Sequence, residues 1–586
     1  MQASMLELKA QLEHERAAAA AARSAAAVRI AELEKERDNL RASYERLREE
    51  LELWKRRLFI AKAERADNAK QLALEFADKM RQLDELAGTL GIGADKPESD
   101  DEPASDGKPK GGRARGRSTG RRNLRTLSLE EERIELSDPH LEKLVQEGKI
   151  VRHGFEESAK LVYKRGGKRR VILARVRYKA VDADGNTDVI TAAMPPEMIP
   201  SAIAAPSLLA HIVVENIGRG MPLFRMEESF DRDTIAIDRG TMSRWKKQIG
   251  EQLAKTVVLA MHEHALATAF CIATDATGVN VQPIYSQHKG RQPCQRSHFL
   301  VMAADRDHLL YEYLEKENGR AIYSRFRGFS GYVQADAKSV FNLLFADPRE
   351  LATKAPELEH DGCFRTEVGC WYHCRRRFWE AAVAKSMVGR EGLVRLGRIF
   401  ELDESWKKKP PSEIKRLREQ HLRPHVESFF AWVDEQRMTY RDQRGYARTA
   451  LEYANNQREA LTRFFEDGKL VLSNNGAERA LKTIATGRKA WLFCGSDDHA
   501  KSTAALFSIV ASARLHGLDV EEYMRCLIRL VPLWPQGRML ELAPVFWSRT
   551  RARLDPPKQV EAEIGWLTIP SEPLDTSTPT EQPAAS

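Results

Sequence analysis

The chain is poor in cysteine and has no long apolar run. Seven cysteines are spread over 586 residues: Cys271, Cys294, Cys363, Cys370, Cys374, Cys494 and Cys526. An odd, sparse set in a chain of this length excludes a disulfide framework and reads as reduced thiols. No stretch of about 18 apolar residues occurs, which excludes a hydrophobic membrane-spanning helix and makes the membrane an unexpected partner. The N-terminus, MQASMLELKAQLEHERAAAA, has charges within its apolar stretch and no signal-peptide layout, so the expected compartment is the cytoplasm. A strong excess of one charge is also lacking. Ninety-three Lys plus Arg stand against 85 Asp plus Glu, a net charge of +8. That balance permits a nucleic-acid partner without requiring one, and the placement of the charges says more than their sum.

Proline and glycine are missing from residues 5–87. Within this stretch Ile30, Leu33, Arg37, Leu40, Tyr44, Leu47, Leu51, Trp54 and Leu58 recur at alternating spacings of 3 and 4. So narrow a stripe predicts a coiled coil and hence a homodimer or higher oligomer, with a helix folded back on its own domain as the other reading. Residues 92–123 then turn acidic and proline-containing, and next basic and glycine-rich; neither half can bury a core. Lys110, Arg113, Arg115, Arg117, Arg121 and Arg122 make the second half a basic arm suited to DNA phosphates, or a solubilising linker. A helix over Leu129–Glu147 and a hairpin about the Gly166-Gly167 turn are expected next, with another tight turn at Asp184-Gly185.

Residues 205–250 read as helical. In DRGTMSRWKKQIG, Asp238 caps, Met242, Trp245 and Ile249 form an inner face, and Arg239, Ser243, Arg244, Lys246 and Lys247 line the other side. That pattern suits a groove-reading helix-turn-helix and equally a solvated basic face. Further on, three segments each offer one carboxylate: AFCIATDATGV with Asp275, GYVQADAKSVFN with Asp336, and LSNNGAERALK with Glu478. The first two follow strand-like runs. The third opens a helix that Asn474 or Asn475 can cap, with Arg479 and Lys482 placed to pair with Glu478 or to meet DNA phosphates. Three converging carboxylates can hold two divalent cations and clamp a phosphoryl transfer; scattered, they are ordinary turn and surface residues. Cys363, Cys370, His373 and Cys374 offer four soft ligands, but without paired CxxC arms, so zinc is not expected. The same segment, GCWYHCRRRFWE, can turn its aromatic residues inward and Arg375, Arg376 and Arg377 towards a phosphate backbone.

At these motifs the chain resembles the IS66-type transposases of bacterial insertion sequences. KRRLF after the leucine heptads is similar to that family's zipper and KRRLFG signature, with Ile60 in place of the glycine. Pro206 to Trp245 is similar nearly throughout to its helical DNA-binding region. GCWYHCRRRF, NNGAERALK and GSDDHAKSTAALFSIVASARLHGLDVEEY resemble three further blocks, in order. The resemblance implies a multidomain α+β chain. Its expected parts are a coiled coil over 1–91, a linker with the basic arm over 92–123, a small β-rich domain over 124–200 and a helix-turn-helix-like DNA-binding region over 201–262. An RNase H-like α/β catalytic core follows over 263–500, with a helical insertion at about 346–470. A C-terminal helical region over 501–568 and a disordered tail over 569–586 complete it. The resemblance also implies a DDE enzyme in which Asp275, Asp336 and Glu478 hold two Mg²⁺ or Mn²⁺ ions, Asp275 bridging them. The partners implied are double-stranded DNA, both element ends and target, a nucleoid setting, and small accessory transposition proteins. Three departures stand out. EESAKLVYKRGGKRRVILARVRYKAV has no cysteine where family members carry a zinc module, Ser473 replaces an Asp, and Thr277-Gly278 stands where Thr-Pro is frequent. An RNase H-fold nuclease or resolvase that cuts without joining is the neighbouring reading. A non-catalytic DNA-binding descendant is the third, and the retained triad argues against it.

Overall fold

The computed structural model describes residues 129–577 apart from 165–166, 182–186, 201, 284–293, 442–444 and 555–562, together with Glu34. The heptads of 1–91, Glu34 aside, and the basic arm of 92–123 with Lys110, Arg113, Arg115, Arg117, Arg121 and Arg122 lie outside the described residues.

The first sheet is built on one long hairpin. β2 (Val151–Lys164) and β3 (Gly167–Val181) pair antiparallel from Lys164↔Gly167 outward, as the glycine turn predicts. A register shift between Arg152 and Phe155 holds Gly154 at φ +97°, a backbone state that suits glycine. β4 (Thr187–Thr191) pairs with the far end of β3, while the turn between them lies outside the described residues. The helix expected over Leu129–Glu147 is corrected. Its first half is β1 (Glu131–Leu136), parallel to β3, and only α1 (Pro139–Gln146) is helical. Glutamates favour helix, but here Glu130 meets Arg169 at 2.9 Å, Glu131 pairs with Arg170, and Arg133 reaches Glu157 at 3.4 Å. Cross-strand pairing overrides local propensity.

α2 (Pro206–Val213) runs into a π-helical turn at Val214–Gly218, and α3 (Leu223–Arg232), α4 (Arg239–Ala254) and α5 (Val257–Thr268) follow. α4 starts where the sequence places it: Thr241 N donates to Asp238 Oδ1 at 2.9 Å, and Met242, Trp245 and Ile249 are buried. The second sheet has five strands in the order β7-β6-β5-β8-β9. They are β5 (Cys271–Val281), β6 (Gln295–Ala304), β7 (His308–Leu314), β8 (Gly331–Gln334) and β9 (Arg365–Val368). β5, β6 and β7 form an antiparallel meander, and β8 and β9 add in parallel. α6 (Gly319–Arg325) and α7 (Pro348–Lys354) lie in the connections. β9 falls inside the span assigned to the helical insertion, between α7 and the helices of the lobe. Four residues of RTEV carry too little pattern to read as a strand alone.

Helices α8 (Trp371–Val383), α9 (Met387–Ser405), α10 (Pro411–Leu417), α11 (Arg423–Thr439), α12 (Tyr446–Asn456) and α13 (Arg458–Thr462) build a lobe with its own core. Trp371, Phe378, Phe429, Phe430 and Phe464 fill that core. The lobe leaves and rejoins the sheet at one neck. Trp371 N donates to Leu472 O at 2.9 Å, Gly369 N to Ala460 O at 2.8 Å, and Gln334 Nε2 to Val471 O at 2.8 Å. The chain then enters α14 (Asn475–Trp491), α15 (Asp497–Leu515), α16 (Val520–Leu530) and α17 (Pro544–Ala552).

Two expected boundaries are crossed by helices. α5 crosses 262/263 and α15 crosses 500/501. α15 packs on both α4 and β7, so α2 to α7, strands β5 to β8 and α14 to α17 share one hydrophobic core, apart from that of the lobe. α15 also closes the sheet edge: Leu309 N and Tyr311 N of β7 donate to Ser512 Oγ at 2.9 Å and Ser508 Oγ at 2.8 Å. Serines thus satisfy an edge strand from the side. The tail expected to be disordered over 569–586 is ordered to Ser577, because Arg538 donates to Pro570 O at 2.7 Å and Glu572 O at 2.8 Å. Among the described residues no helix is long and apolar enough to cross a membrane.

α4 and α15 cross closely at Gly250, where an added Cβ would stand 2.5 Å from Ser502 O. Gly250→Ala is expected to cost about 1–3 kcal/mol by overpacking. A lower denaturation midpoint checks this, and an unchanged midpoint would mean the crossing yields freely.

Candidate active site

Strand register sets two aspartates side by side. β5 and β8 pair in parallel up to Ala273↔Gln334. Asp275 and Asp336 each stand two residues beyond that pair. Neighbouring strands run about 4.8 Å apart, and clefts in such sheets open at the carboxyl ends of parallel strands. Asp275 is not at a strand end, as the sequence suggests. β5 continues to Val281 against β6, and it is β8 that stops. Asp275 Oδ1 accepts from Ala276 N at 2.7 Å and lies 3.3 Å from Lys338 Nζ. Lys338 follows Asp336 through a tight turn, its N donating to Asp336 O at 2.7 Å.

Glu478 sits in the first turn of α14 and arrives from the far side of the lobe. Asn474 does not cap this helix with its side chain. It is fully buried and donates Nδ2 to Thr274 O at 2.8 Å, while its N donates to Cys370 Sγ at 3.3 Å. The helix carrying Glu478 is therefore pinned to the residue before Asp275. Arg488 adds a second pin further along α14, donating to Thr277 Oγ1 at 3.0 Å and Gly278 O at 2.7 Å.

His373, one turn into α8, joins the remaining carboxylates. Its Nε2 lies 3.9 Å from Asp336 Oδ2 and 3.6 Å from Glu478 Oε1. Burial opposes its charged form, but the Cys370 sulfur, Asp336 and Glu478 outweigh burial and lift the imidazole to about 9. At neutral pH it is a cation between two carboxylates. Glu317 adds a fourth carboxylate at the margin, 3.4 Å from His298 Nε2 and 3.9 Å from Lys338 Nζ.

Lys338 thus meets Asp275, and His373 meets both Asp336 and Glu478, although the three carboxylates do not themselves form a group with ligand atoms within 4.8 Å of one another. Carboxylate oxygens are the hard donors that Mg²⁺ and Mn²⁺ take, so the residue types fit the implied ions. The soft-ligand set named from the sequence does not assemble. Among the described residues, the ligand atoms that come within 4.8 Å of one another belong to Cys370, His373 and Glu478, without Cys363 or Cys374.

The basic residues divide. Arg375 and Arg376 on α8, and Arg479 and Lys482 on α14, are exposed on the two helices that carry His373 and Glu478; Arg376 also meets Glu380 at 3.4 Å. On α4, Arg239 and Arg244 are exposed, Ser243 is half-buried, and Lys247 pairs with Glu251. Lys246 is a correction. Its ammonium turns inward to Asn216 Oδ1 at 2.9 Å, and burial pushes its pKa down. The packing of α15 on α4 widens the buried face beyond the Met242–Trp245–Ile249 stripe. Sequence reasoning missed the contacts of Lys338, His373, Asn474 and Glu317, all of which depend on long-range pairing. For His373 alone a local signal existed, its place in the GCWYHC block.

The family model described as "Transposase IS66 family" matches residues 201–502, more than half of the chain. The chain belongs to the IS66 transposase family. It is also similar to two uncharacterized proteins of Sinorhizobium fredii. One, y4qI, is 24% identical over 388 residues, covering 64% of this chain and 68% of that protein. The other, y4hP, is 23% identical over 375 residues, covering 60% of this chain and 64% of that protein. In this IS66-family chain the matched span runs from before α2 into α15 and contains Asp275, Asp336, His373 and Glu478.

Proposed function

We propose that this IS66-family protein is a transposase that binds the terminal inverted repeats of an insertion sequence, cleaves at the element ends and joins the freed 3′-hydroxyl to target DNA. The observation that carries this reading is the set of contacts that links three distant segments, Lys338 to Asp275 and His373 to both Asp336 and Glu478. The strand order, an antiparallel meander extended by two parallel strands, supports an RNase H-like core.

Asp275, Asp336 and Glu478 would hold two Mg²⁺ or Mn²⁺ ions. When bound, such ions supply Lewis-acid stabilisation to the attacking and leaving oxygens of an in-line displacement. The protein's own contribution is placement. Lys338 and His373 keep mutually repelling carboxylates close in the metal-free chain, and Asn474 fixes Glu478 relative to β5. Arg375, Arg376, Arg479 and Lys482 flank the cleft for the phosphate backbone, and the exposed Arg239 and Arg244 of α4 extend that surface. A coiled coil over 1–91 would pair two copies, one for each element end, and the basic arm would add sequence-independent contacts.

The direct test is DNA carrying the element's end sequence, supplied with a target and Mg²⁺. Cleaved ends together with joined product are expected. Cleavage without joined product would favour a nuclease or resolvase, and binding with neither would leave a DNA-binding protein. Arg375→Ala combined with Lys482→Ala is expected to weaken end binding similarly for all sequences. It should also lower the slope of log affinity against log salt by about two, one per lost phosphate contact. An unchanged slope would place DNA elsewhere.

A further inference from the structure

The cleft holds a feature that phosphoryl transfer on hard oxygen-bound ions does not need: a cysteine sulfur. Cys370 lies immediately before α8 and is buried, and His373 follows one turn later. Glu478 comes to them from α14, more than 100 residues further along the chain. The ligand atoms of these three residues lie within 4.8 Å of one another, close enough for one cation to draw together. His373 Nδ1 is buried and without a hydrogen-bond partner among the described atoms. The Cys370 sulfur accepts a hydrogen bond from Asn474 N and also interacts with the His373 imidazole.

One thiol, one imidazole and one carboxylate form a mixed set. Thiolate and imidazole select zinc-class ions over Mg²⁺. Three protein ligands leave a fourth position for water, so the set is complete for a tetrahedral ion. We propose that Cys370, His373 and Glu478 form an inhibitory site for a thiophilic divalent cation of the zinc class. Binding releases the Cys370 thiol proton, and the His373 proton where present, to solvent, and forms one bond each from sulfur, nitrogen and oxygen to the ion. Glu478 is then committed to the soft ion and withdrawn from Asp275 and Asp336. The site rests on the coordinates of these three residues; its inhibitory consequence rests on the proposed role of Glu478.

The test uses the full chain, freed of metal, with Co²⁺ as a spectroscopic stand-in for zinc. Wild type is expected to show a sulfur-to-cobalt charge-transfer band that Zn²⁺ abolishes by displacement. Cys370→Ser should lose the band and weaken Zn²⁺ binding by more than about 100-fold, the upper end of what losing even an outer-shell partner costs. Cys374→Ser, beside it but outside the group, should keep both. X-ray absorption at the zinc edge of the wild-type protein should find one sulfur among lighter ligands, which needs no variant to fold. A wild type without the band, a Cys370→Ser variant that retains it, or a zinc shell without sulfur would overturn the site. On Mg²⁺-supported DNA cleavage, micromolar Zn²⁺ should inhibit wild type and spare Cys370→Ser. Equal inhibition of both would overturn the inhibitory role. If wild type shows the band but never cuts DNA, the transposase reading fails while the metal site stands.

Discussion

Asp275→Asn will bind element-end DNA as tightly as wild type and cut it at least about 1,000-fold more slowly. The substitution changes one atom in shape and one charge in electrostatics. The side-chain oxygen that accepts from Ala276 N at 2.7 Å can still accept, so β5 keeps its local bonding. What is lost is the negative charge that meets Lys338 at 3.3 Å. An amide is a poor ligand for a hard divalent ion, and the charge stabilisation such ions give a phosphoryl transition state is worth several kcal/mol, each 1.4 of which is tenfold in rate. Affinity belongs to other residues, the cations of α8, α14 and α4, and these are untouched. Gel-shift and cleavage assays on the same DNA separate the two quantities. Equal cutting by wild type and variant with Mn²⁺ present would remove Asp275 from the chemistry.

Arg418→Ala is expected to cost about 3–5 kcal/mol, the largest stability loss from a single charged residue of the lobe. Arg418 is buried, 3% exposed, in the π-helical turn between α10 and α11. Its Nε donates to Asp403 Oδ1 at 2.7 Å, and its Nη1 donates to Phe464 O at 3.0 Å and Leu470 O at 2.8 Å. Truncation leaves two buried carbonyls and a half-buried carboxylate without that donor, and the cost of breaking such a pair exceeds the worth of the pair itself. Arg418→Lys should recover little, because one ammonium cannot serve the fork's directions together. Chemical denaturation of the full chain reads the loss. A change below 1 kcal/mol would show that water replaces the guanidinium, contrary to the burial seen.

Several elements were legible because local pattern and tertiary context agree. The Asp238 cap, the Met242–Trp245–Ile249 stripe and the glycine-turned hairpin each follow from spacing within a dozen residues. The failures share one cause. β1 reads as helix until Arg169, Arg170 and Glu157 are placed across from it. β9 is too short to show a period and becomes a strand only by pairing with β8. Lys246 leaves the outer face because α15 covers it, a helix some 250 positions later. At the candidate site, the three carboxylates were named from motif order and His373 from its block, but the contacts of Lys338 with Asp275 and of His373 with Asp336 and Glu478 depend on long-range pairing. Asn474 was expected to cap its own helix. It instead ties that helix to Thr274, a bond that no local reading contains.

The neck of the helical lobe has a consequence for how such a chain can change over generations. Its departing and returning strands of backbone meet at Trp371 N and Leu472 O, 2.9 Å apart. A loop whose ends are already held together bears little penalty for added length. Residues gained or lost between α8 and residue 470 therefore need not move Glu478 with respect to Asp275. The lobe is in effect a cassette, free to be resized or exchanged while the carboxylates keep their places.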